Sequence, residues 1–294
     1  MKLQLDNSCP LNLDATLCCG QIFRWHRQDK WWYGIFKNTP FKMRQIADRV
    51  EFENVDTSFL AYYLGLGDNL PKIYRQIGKE ANIRKAIKQC AGLRIVHQDP
   101  WECLISYICA TYKNIPAIER MLNNLCKSLG EPIPFEGKKF YTFPTLEALA
   151  RTRTSDLKKC GLGYRAKYIS ETAKKILETG INFDQMKQED YGALKKELLL
   201  LPGVGPKVAD CVMLFSLEKT EAFPIDVWVR RVLLKYYSDH FPVKFVRNII
   251  SKNSLTTAEY NRLNSFGRSY FGEYAGYAQQ YLYHYERTKT MKNA

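Results

Sequence analysis

No apolar run in this 294-residue chain approaches about 18 residues, which excludes a membrane-spanning helix. The pattern Cys-x-x-Cys is missing although nine cysteines are present: Cys9, Cys18, Cys19, Cys90, Cys103, Cys109, Cys126, Cys160 and Cys211. The four histidines, His26, His97, His240 and His284, lie far apart, so no zinc finger or ribbon is spelled out and no metal site is expected. An odd cysteine count, the size of the chain and the missing signal peptide lead us to expect reduced thiols and an intracellular protein. Its place would be the cytoplasm or nucleoid of a prokaryote, or the nucleus of a eukaryote. Low-complexity segments and a fold-controlling repeat are absent as well. Acidic residues are comparatively few, 30 against 44 Lys plus Arg, for a formal charge of +14. Such a cationic balance is the footprint of a polyanion binder, or of a merely soluble cationic surface. Hydrophobic residues at 46% and charged residues at 25% exclude wholesale disorder.

What is there divides into two portions. QIFRWHRQ (21–28), KWWYGIFK (30–37) and FKMRQIADRVEFE (41–53) are aromatic-rich and alternate loosely with polar positions, as strands joined by tight turns do. Helical signals follow from Thr57 and over 70–90, and GLRIVHQ (92–98) reads as one more strand. From Asp99 onward the punctuation is that of helices. Asp99, Pro100 and Glu102 take N-cap, first-turn and N3 positions ahead of Trp101, Leu104, Ile105 and Ile108 on one face. Apolar stripes recur over 118–129 before Gly130, over 165–177 before Gly180, and in YGALKKELLLL before Pro202. The expected fold class is α+β: an N-terminal antiparallel β-sheet domain with accessory helices over 1–98, then an all-α domain over 99–294.

ELLLLPGVGPKVADCVMLFSLE (197–218) carries the most information. Two apolar helical segments are separated only by Pro202, Gly203, Val204 and Gly205, a turn in which glycine supplies positive φ and close approach. Backbone N–H groups at the start of the second helix make an anion site suited to phosphate, although an ordinary helix–helix turn is the simpler use of a lone G-x-G. The spacing of a phosphate-binding P-loop is missing, and a helix precedes the turn where a dinucleotide fold would place a strand. Lys207 falls in the first turn of that second helix, where the helix dipole repels a cation and burial disfavours an ammonium. A neutral amine so favoured is a nucleophile for carbon electrophiles, with a phosphate contact as the alternative. Asp226 follows Pro224 and opens another apolar helix, a capping position compatible with assisting proton removal and stabilising positive charge on a sugar ring. Arg230 and Arg231 serve equally as phosphate contacts or as a solvated face.

LPGVGPKVADC followed by PIDV resembles the helix-hairpin-helix and aspartate signature of the DNA glycosylase superfamily. GQIFRW (20–25), DPWECLISYICA (99–110), GLGYRAKYI (161–169) and GYAQQYLY (276–283) extend the resemblance, in consistent order, to the 8-oxoguanine DNA glycosylase/AP lyase family. The resemblance implies a helix-hairpin-helix glycosylase domain over 99–294 and a bifunctional, cofactor-free enzyme. Its amine attacks C1′ of the damaged nucleotide, the oxidised guanine leaves, and the resulting Schiff base permits strand cleavage by β-elimination. Lys207 matches the Schiff-base lysine and Asp226 the catalytic aspartate. Gly20 matches the glycine whose carbonyl accepts the N7 hydrogen that 8-oxoguanine has and guanine lacks. Gln279 matches the glutamine at the base edge, and Cys211 with Tyr283 the pair that sandwiches the flipped base. Lys207 and Cys211 are four residues apart, as are Gln279 and Tyr283, so each pair shares a helical face. Tyr164 and Arg165 match the pair that wedges into the duplex, and Gly203, Val204 and Gly205 the phosphate-binding loop.

Departures from the pattern bear on the base opposite the lesion. Tyr112 stands where eukaryotic members have an asparagine filling the hole left by the flipped base, and Ala117 where they have an arginine reading the opposite cytosine. Trp228 replaces a histidine next to the aspartate. The expected partner is double-stranded DNA containing oxidised guanine, bound by a monomer with no membrane involved. The competing readings are a glycosylase of the same superfamily for another base and a non-catalytic module that only holds phosphate. Relatives acting on mismatched adenine or oxidised pyrimidines commonly carry four closely spaced cysteines for an iron–sulfur cluster, and no cysteine follows Cys211 here.

Overall fold

The computed structural model describes residues 1–5 and 10–292, so Cys9 lies outside the described residues. The N-terminal portion contains β1 (Lys2–Gln4), α1 (Leu13–Cys18), β2 (His26–Gln28), β3 (Trp31–Phe36), β4 (Thr39–Ile46) and β5 (Arg49–Glu53), then α2 (Thr57–Tyr63), α3 (Leu70–Ile77) and α4 (Ala81–Gln89). The five strands form one antiparallel sheet in the order β1-β5-β4-β3-β2. Its inner face is set by alternation: Val50 and Phe52 of β5 are fully buried, as are Phe41 and Met43 of β4, while Arg49, Glu51 and Glu53 point away from that core. Met43 pairs with both Trp32 and Phe52, so one apolar row crosses three strands.

The rest comprises α5 (Pro100–Cys109), α6 (Ile115–Leu129), β6 (Pro132–Phe135), β7 (Lys138–Tyr141), α7 (Leu146–Arg151), α8 (Thr154–Leu157), α9 (Arg165–Thr179) and α10 (Phe183–Met186). It continues with α11 (Tyr191–Leu199), α12 (Pro206–Ser216), α13 (Val227–Tyr236), α14 (Val243–Ile249), α15 (Thr257–Phe271) and α16 (Ala275–Lys292). Many of these helices start at the cap residue the sequence supplies. Asp99 accepts from the Glu102 N–H, Asn114 from Ala117, Thr145 from Ala148 and Asp226 from Val229. Glu102 stands at N3 but does not close a capping box; it pairs with Arg24 at 2.8 Å and so ties α5 to the N-terminal portion.

Three expectations need correcting. The segment 92–98 is extended but is no strand: its N–H groups go one by one to the Tyr74 hydroxyl, Cys90 O, Thr16 Oγ1, Gln21 Oε1, Tyr63 O and Phe215 O, so it pairs with no single neighbour. Only His26–Gln28 of the segment 21–28 is strand. The C-terminal portion is mostly but not wholly helical, because β6 and β7 form a hairpin. Its two-residue loop, Glu136 and Gly137, has φ of +48° and +71°, the left-handed pair that tight hairpins use. Lys42 meets Glu136 at 2.5 Å and Lys138 lies 4.4 Å from the Tyr33 ring centre, so this hairpin covers the outer face of the sheet.

One large apolar core joins α5, α6, α9, α12, α15 and α16, and it also takes in Leu70–Ile95 from α3, α4 and the stretch beyond them. The last helix ties the two portions together. Tyr281 donates to Leu93 O at 2.7 Å and shares a hydrogen bond with Tyr74, while Tyr277 donates to Asp68. Buried tyrosine hydroxyls thus find partners while their rings fill the core.

Candidate active site

α12 begins abruptly. Gly205 stands at its N-cap with no side-chain hydrogen bond, Pro206 takes the first position, and Lys207 the second. Gly203 has φ +78° and a side chain there would stand 2.7 Å from Tyr168 Cβ, so both its conformation and its neighbour demand glycine. Gly205 differs: its backbone is extended and open space surrounds its Cα, so the fold itself does not require glycine there. The Val204 N–H is spent inside the turn on Leu201 O, which removes it from the expected phosphate contacts. Among the described residues the N–H groups of Gly203 and Gly205 make no internal hydrogen bond.

Lys207 is half-buried, and its Nζ lies 4.8 Å from the ring centre of Tyr107 on α5. Tyr107 is fixed by stacking on Phe215 and by donating to Gln21 O at 3.1 Å. Cys211, one turn along α12, is buried; burial pushes its thiol up to about 12 against the pull of the neighbouring ammonium, so at neutral pH it is an uncharged surface. Asp226 caps α13 through Val229 N at 2.7 Å. Burial raises its carboxyl above the ordinary value, opposed by the Val229 N–H and by the charge of Lys207. The two groups act on each other through space without a direct ion pair. They stand at the starts of two different helices.

The remaining walls come from the far ends of the chain. Gly20 has φ +82°, and a Cβ there would lie 3.2 Å from the Tyr283 hydroxyl, 3.0 Å from Ile115 Cδ1 and 2.9 Å from Arg287 Nη1. The Gly20 loop is fixed by Gln21, fully buried, whose amide donates to Thr16 O and Arg94 O and accepts from Val96 N. Tyr283 has its hydroxyl pushed up to about 12, by burial first and then by the Asp226 charge. Gln279 is 4% exposed, and its Oε1 is buried without a hydrogen-bond partner among the described residues. An unsatisfied buried amide oxygen awaits a donor. Gly20, Cys211, Gln279, Tyr283, Lys207 and Asp226 therefore belong to one neighbourhood.

The wedge residues separate. Tyr112 and Tyr164 are exposed at 76% and 53%, and Tyr112 holds φ +54°, a left-handed conformation that is rare for a bulky residue and recurs at functional loops. Arg165 is not presented with them. It is 3% exposed, donates to the Thr111 carbonyl and lies 4.4 Å from the Tyr164 ring centre. The guanidinium is drawn inside the fold, where it supports the two tyrosines from beneath while its buried Nε has no hydrogen-bond partner among the described residues. Arg230 is likewise buried, whereas Arg231 lies 5.2 Å from the Trp228 ring centre.

Sequence reading missed Gln21, Tyr107, Ile115, Tyr168 and Arg287. Arg287 had a signal, since it continues the four-residue spacing of Gln279 and Tyr283 along α16. A cavity of about 230 Å³ lies elsewhere, between α9, α10 and α11, and its lining includes Lys175, Glu189 and Glu197 beside Met186, Leu200 and Leu201. Among the described residues no helix is long and apolar enough to cross a membrane.

Known proteins resemble this chain over both of its portions. Residues 2–104 match the family described as 8-oxoguanine DNA glycosylase, N-terminal domain, and residues 105–242 match the HhH-GPD superfamily of base excision DNA repair proteins. The N-glycosylase/DNA lyase of Saccharomyces cerevisiae is 31% identical, over 94% of this chain and 84% of its own. Among solved structures, the Clostridium acetobutylicum 8-oxoguanine glycosylase/lyase, in complex with double-stranded DNA containing cytosine opposite 8-oxoguanine, is 32% identical. It superposes with a TM-score of 0.85 over 95% of this chain and 93% of that one. With both domains matched and relatives spanning nearly the whole length, the chain belongs to the 8-oxoguanine DNA glycosylase/AP lyase family.

Proposed function

We propose that this protein excises 8-oxoguanine from duplex DNA and then cleaves the strand, with Lys207 as nucleophile and Asp226 as its electrostatic partner. The observation that carries the reading is the meeting of Lys207 and Asp226, each at a helix start, against Cys211 and Tyr283. The amine lone pair attacks C1′ and the C1′–N9 bond breaks, its electron pair leaving with the base, which then takes up a proton. The Asp226 carboxylate stabilises the positive charge on the sugar as the bond opens. Ring opening converts the adduct to a Schiff base, loss of a C2′ proton follows, and the 3′ phosphate is expelled. Gly20 O accepts the N7 hydrogen of the lesion, the Gln279 amide meets its outer edge, and Cys211 and Tyr283 hold its two faces. The unspent N–H groups of Gly203 and Gly205 take a phosphate oxygen. Tyr112 and Tyr164 fill the vacated stack, since extrusion costs a few kcal/mol that must be offset.

Borohydride trapping on a duplex containing 8-oxoguanine tests this. The wild-type chain is expected to give a covalent adduct and Lys207→Gln none, with excision lower by roughly 10⁴-fold or more. An adduct of undiminished yield from Lys207→Gln would sink the assignment.

A further inference from the structure

Arg287 stands one turn beyond Tyr283 on α16, and its environment sets it apart from the other cations of the surface. Its Nη1 donates to the Tyr283 hydroxyl at 3.2 Å and its Nη2 to the Cys18 carbonyl at 3.0 Å. Nη1 also lies 2.9 Å from the point where a Gly20 side chain would begin. Among the described residues no carboxylate pairs with it, because its neighbour Glu286 is engaged by Lys235 and Tyr236. A guanidinium carries five donors in a fixed plane, and two are used here, both on neutral acceptors. The charge is nonetheless felt inside the site, where it opposes the rise in the Asp226 carboxyl and the Tyr283 hydroxyl.

Resting on the reading of the site as an 8-oxoguanine pocket, we infer that Arg287 is a base-reading residue whose guanidinium donates to a carbonyl oxygen flanking the N7–H of the extruded purine. In 8-oxoguanine the N7–H lies between the oxygens on C6 and C8, so whatever sits beside the Gly20 carbonyl faces an acceptor. Entry of the base exchanges the neutral Tyr283 hydroxyl for a carbonyl that gains negative charge as the base departs. A charged donor is stronger on such a partner, so the contact favours both binding and bond cleavage. Gly20 alone reads a hydrogen; Gly20 with Arg287 reads a donor and its adjacent acceptor together.

The test uses the full chain with Arg287→Leu and Arg287→Lys, each checked for an unchanged melting temperature. Three measurements are made: single-turnover excision, affinity for a duplex carrying a tetrahydrofuran abasic analogue, and binding of free 8-oxoguanine. Arg287→Leu is expected to lose about 10- to 100-fold in excision and to bind the free base more weakly, with Arg287→Lys partly restoring both and abasic-duplex affinity unchanged in each. Unchanged excision, or equal loss on the lesion and abasic duplexes, would overturn the inference, the latter by assigning Arg287 to the phosphate backbone. Because both variants retain Lys207, their borohydride trapping reports separately on the proposed reaction.

Discussion

The starts of α12 and α13 lie side by side at the site and follow opposite rules. α13 begins as stability dictates, with an aspartate whose oxygen takes the Val229 N–H. α12 begins against those rules: no side chain caps it, two backbone N–H groups ahead of it are unspent, and a lysine occupies a turn that repels cations. The difference teaches where stability and chemistry coincide and where they part. On the proposed reaction one carboxylate at α13 serves both, whereas at α12 the local disadvantage is sustained from further along the helix. There Asp210, fully buried, accepts from Tyr260 at 2.6 Å, Tyr191 at 2.6 Å, Lys195 at 3.0 Å and Asn264 at 3.1 Å. Such a satisfied network holds the helix in place while its end is left open for another molecule.

Substitutions can break this contrast or sharpen it. The largest effect is expected at Asp226. Asp226→Asn keeps an oxygen to cap α13 but lacks the charge, so excision should fall about 10²- to 10⁴-fold with no loss of melting temperature. Burial raises this carboxyl in the folded state, so the folded chain holds the proton more tightly than the unfolded one. The resulting penalty is absent below the unfolded carboxylate value, grows as pH rises through the folded one, and is relieved in Asp226→Asn at neutral pH. A melting series against pH in which wild type and variant keep a constant difference would contradict this. Asp226→Ala, by contrast, should lose about 0.5–2 kcal/mol of stability along with activity.

The two hairpin glycines come next. Gly203→Ala forces a side chain into the left-handed region and against Tyr168, costing about 1–2 kcal/mol in a denaturation curve. Gly205→Ala meets open space and an extended backbone, so its curve should be unmoved within about 0.5 kcal/mol while affinity for duplex DNA falls. Equal destabilisation by both would mean that Gly205 serves the fold alone. The smallest effect concerns the opposite base. With Tyr112 in place of an asparagine and Ala117 in place of an arginine, single-turnover excision opposite the four bases should differ by less than about 10-fold, below what one good base-edge contact gives. Strict dependence on cytosine would count against it.

How much of this was legible in the sequence depended on whether a residue's partner lay nearby in the chain. Asp99, Asn114 and Asp226 announce helix starts because a cap bonds three residues on, and the hairpin is legible because its glycines and Lys207 form a contiguous signal. The segment 92–98 has the composition of a strand, but its N–H groups go to six separate places, and nothing local encodes that dispersal. The hairpin 132–141 carried its signal in the Glu136–Gly137 turn, obscured by Pro132 and Pro134 in the strand beside it. Arg165 illustrates a different limit. Its position matches a DNA-facing residue, yet the Thr111 carbonyl that draws it inward is 54 positions away.

The hydrogen bond from Arg287 to the Cys18 carbonyl spans 269 positions of sequence. On the proposed reading, a chain extended only as far as α15 would hold Lys207, Asp226, Cys211 and Gly20 but not Gln279, Tyr283 and Arg287, so the side of the pocket that α16 supplies would be the last to form during synthesis.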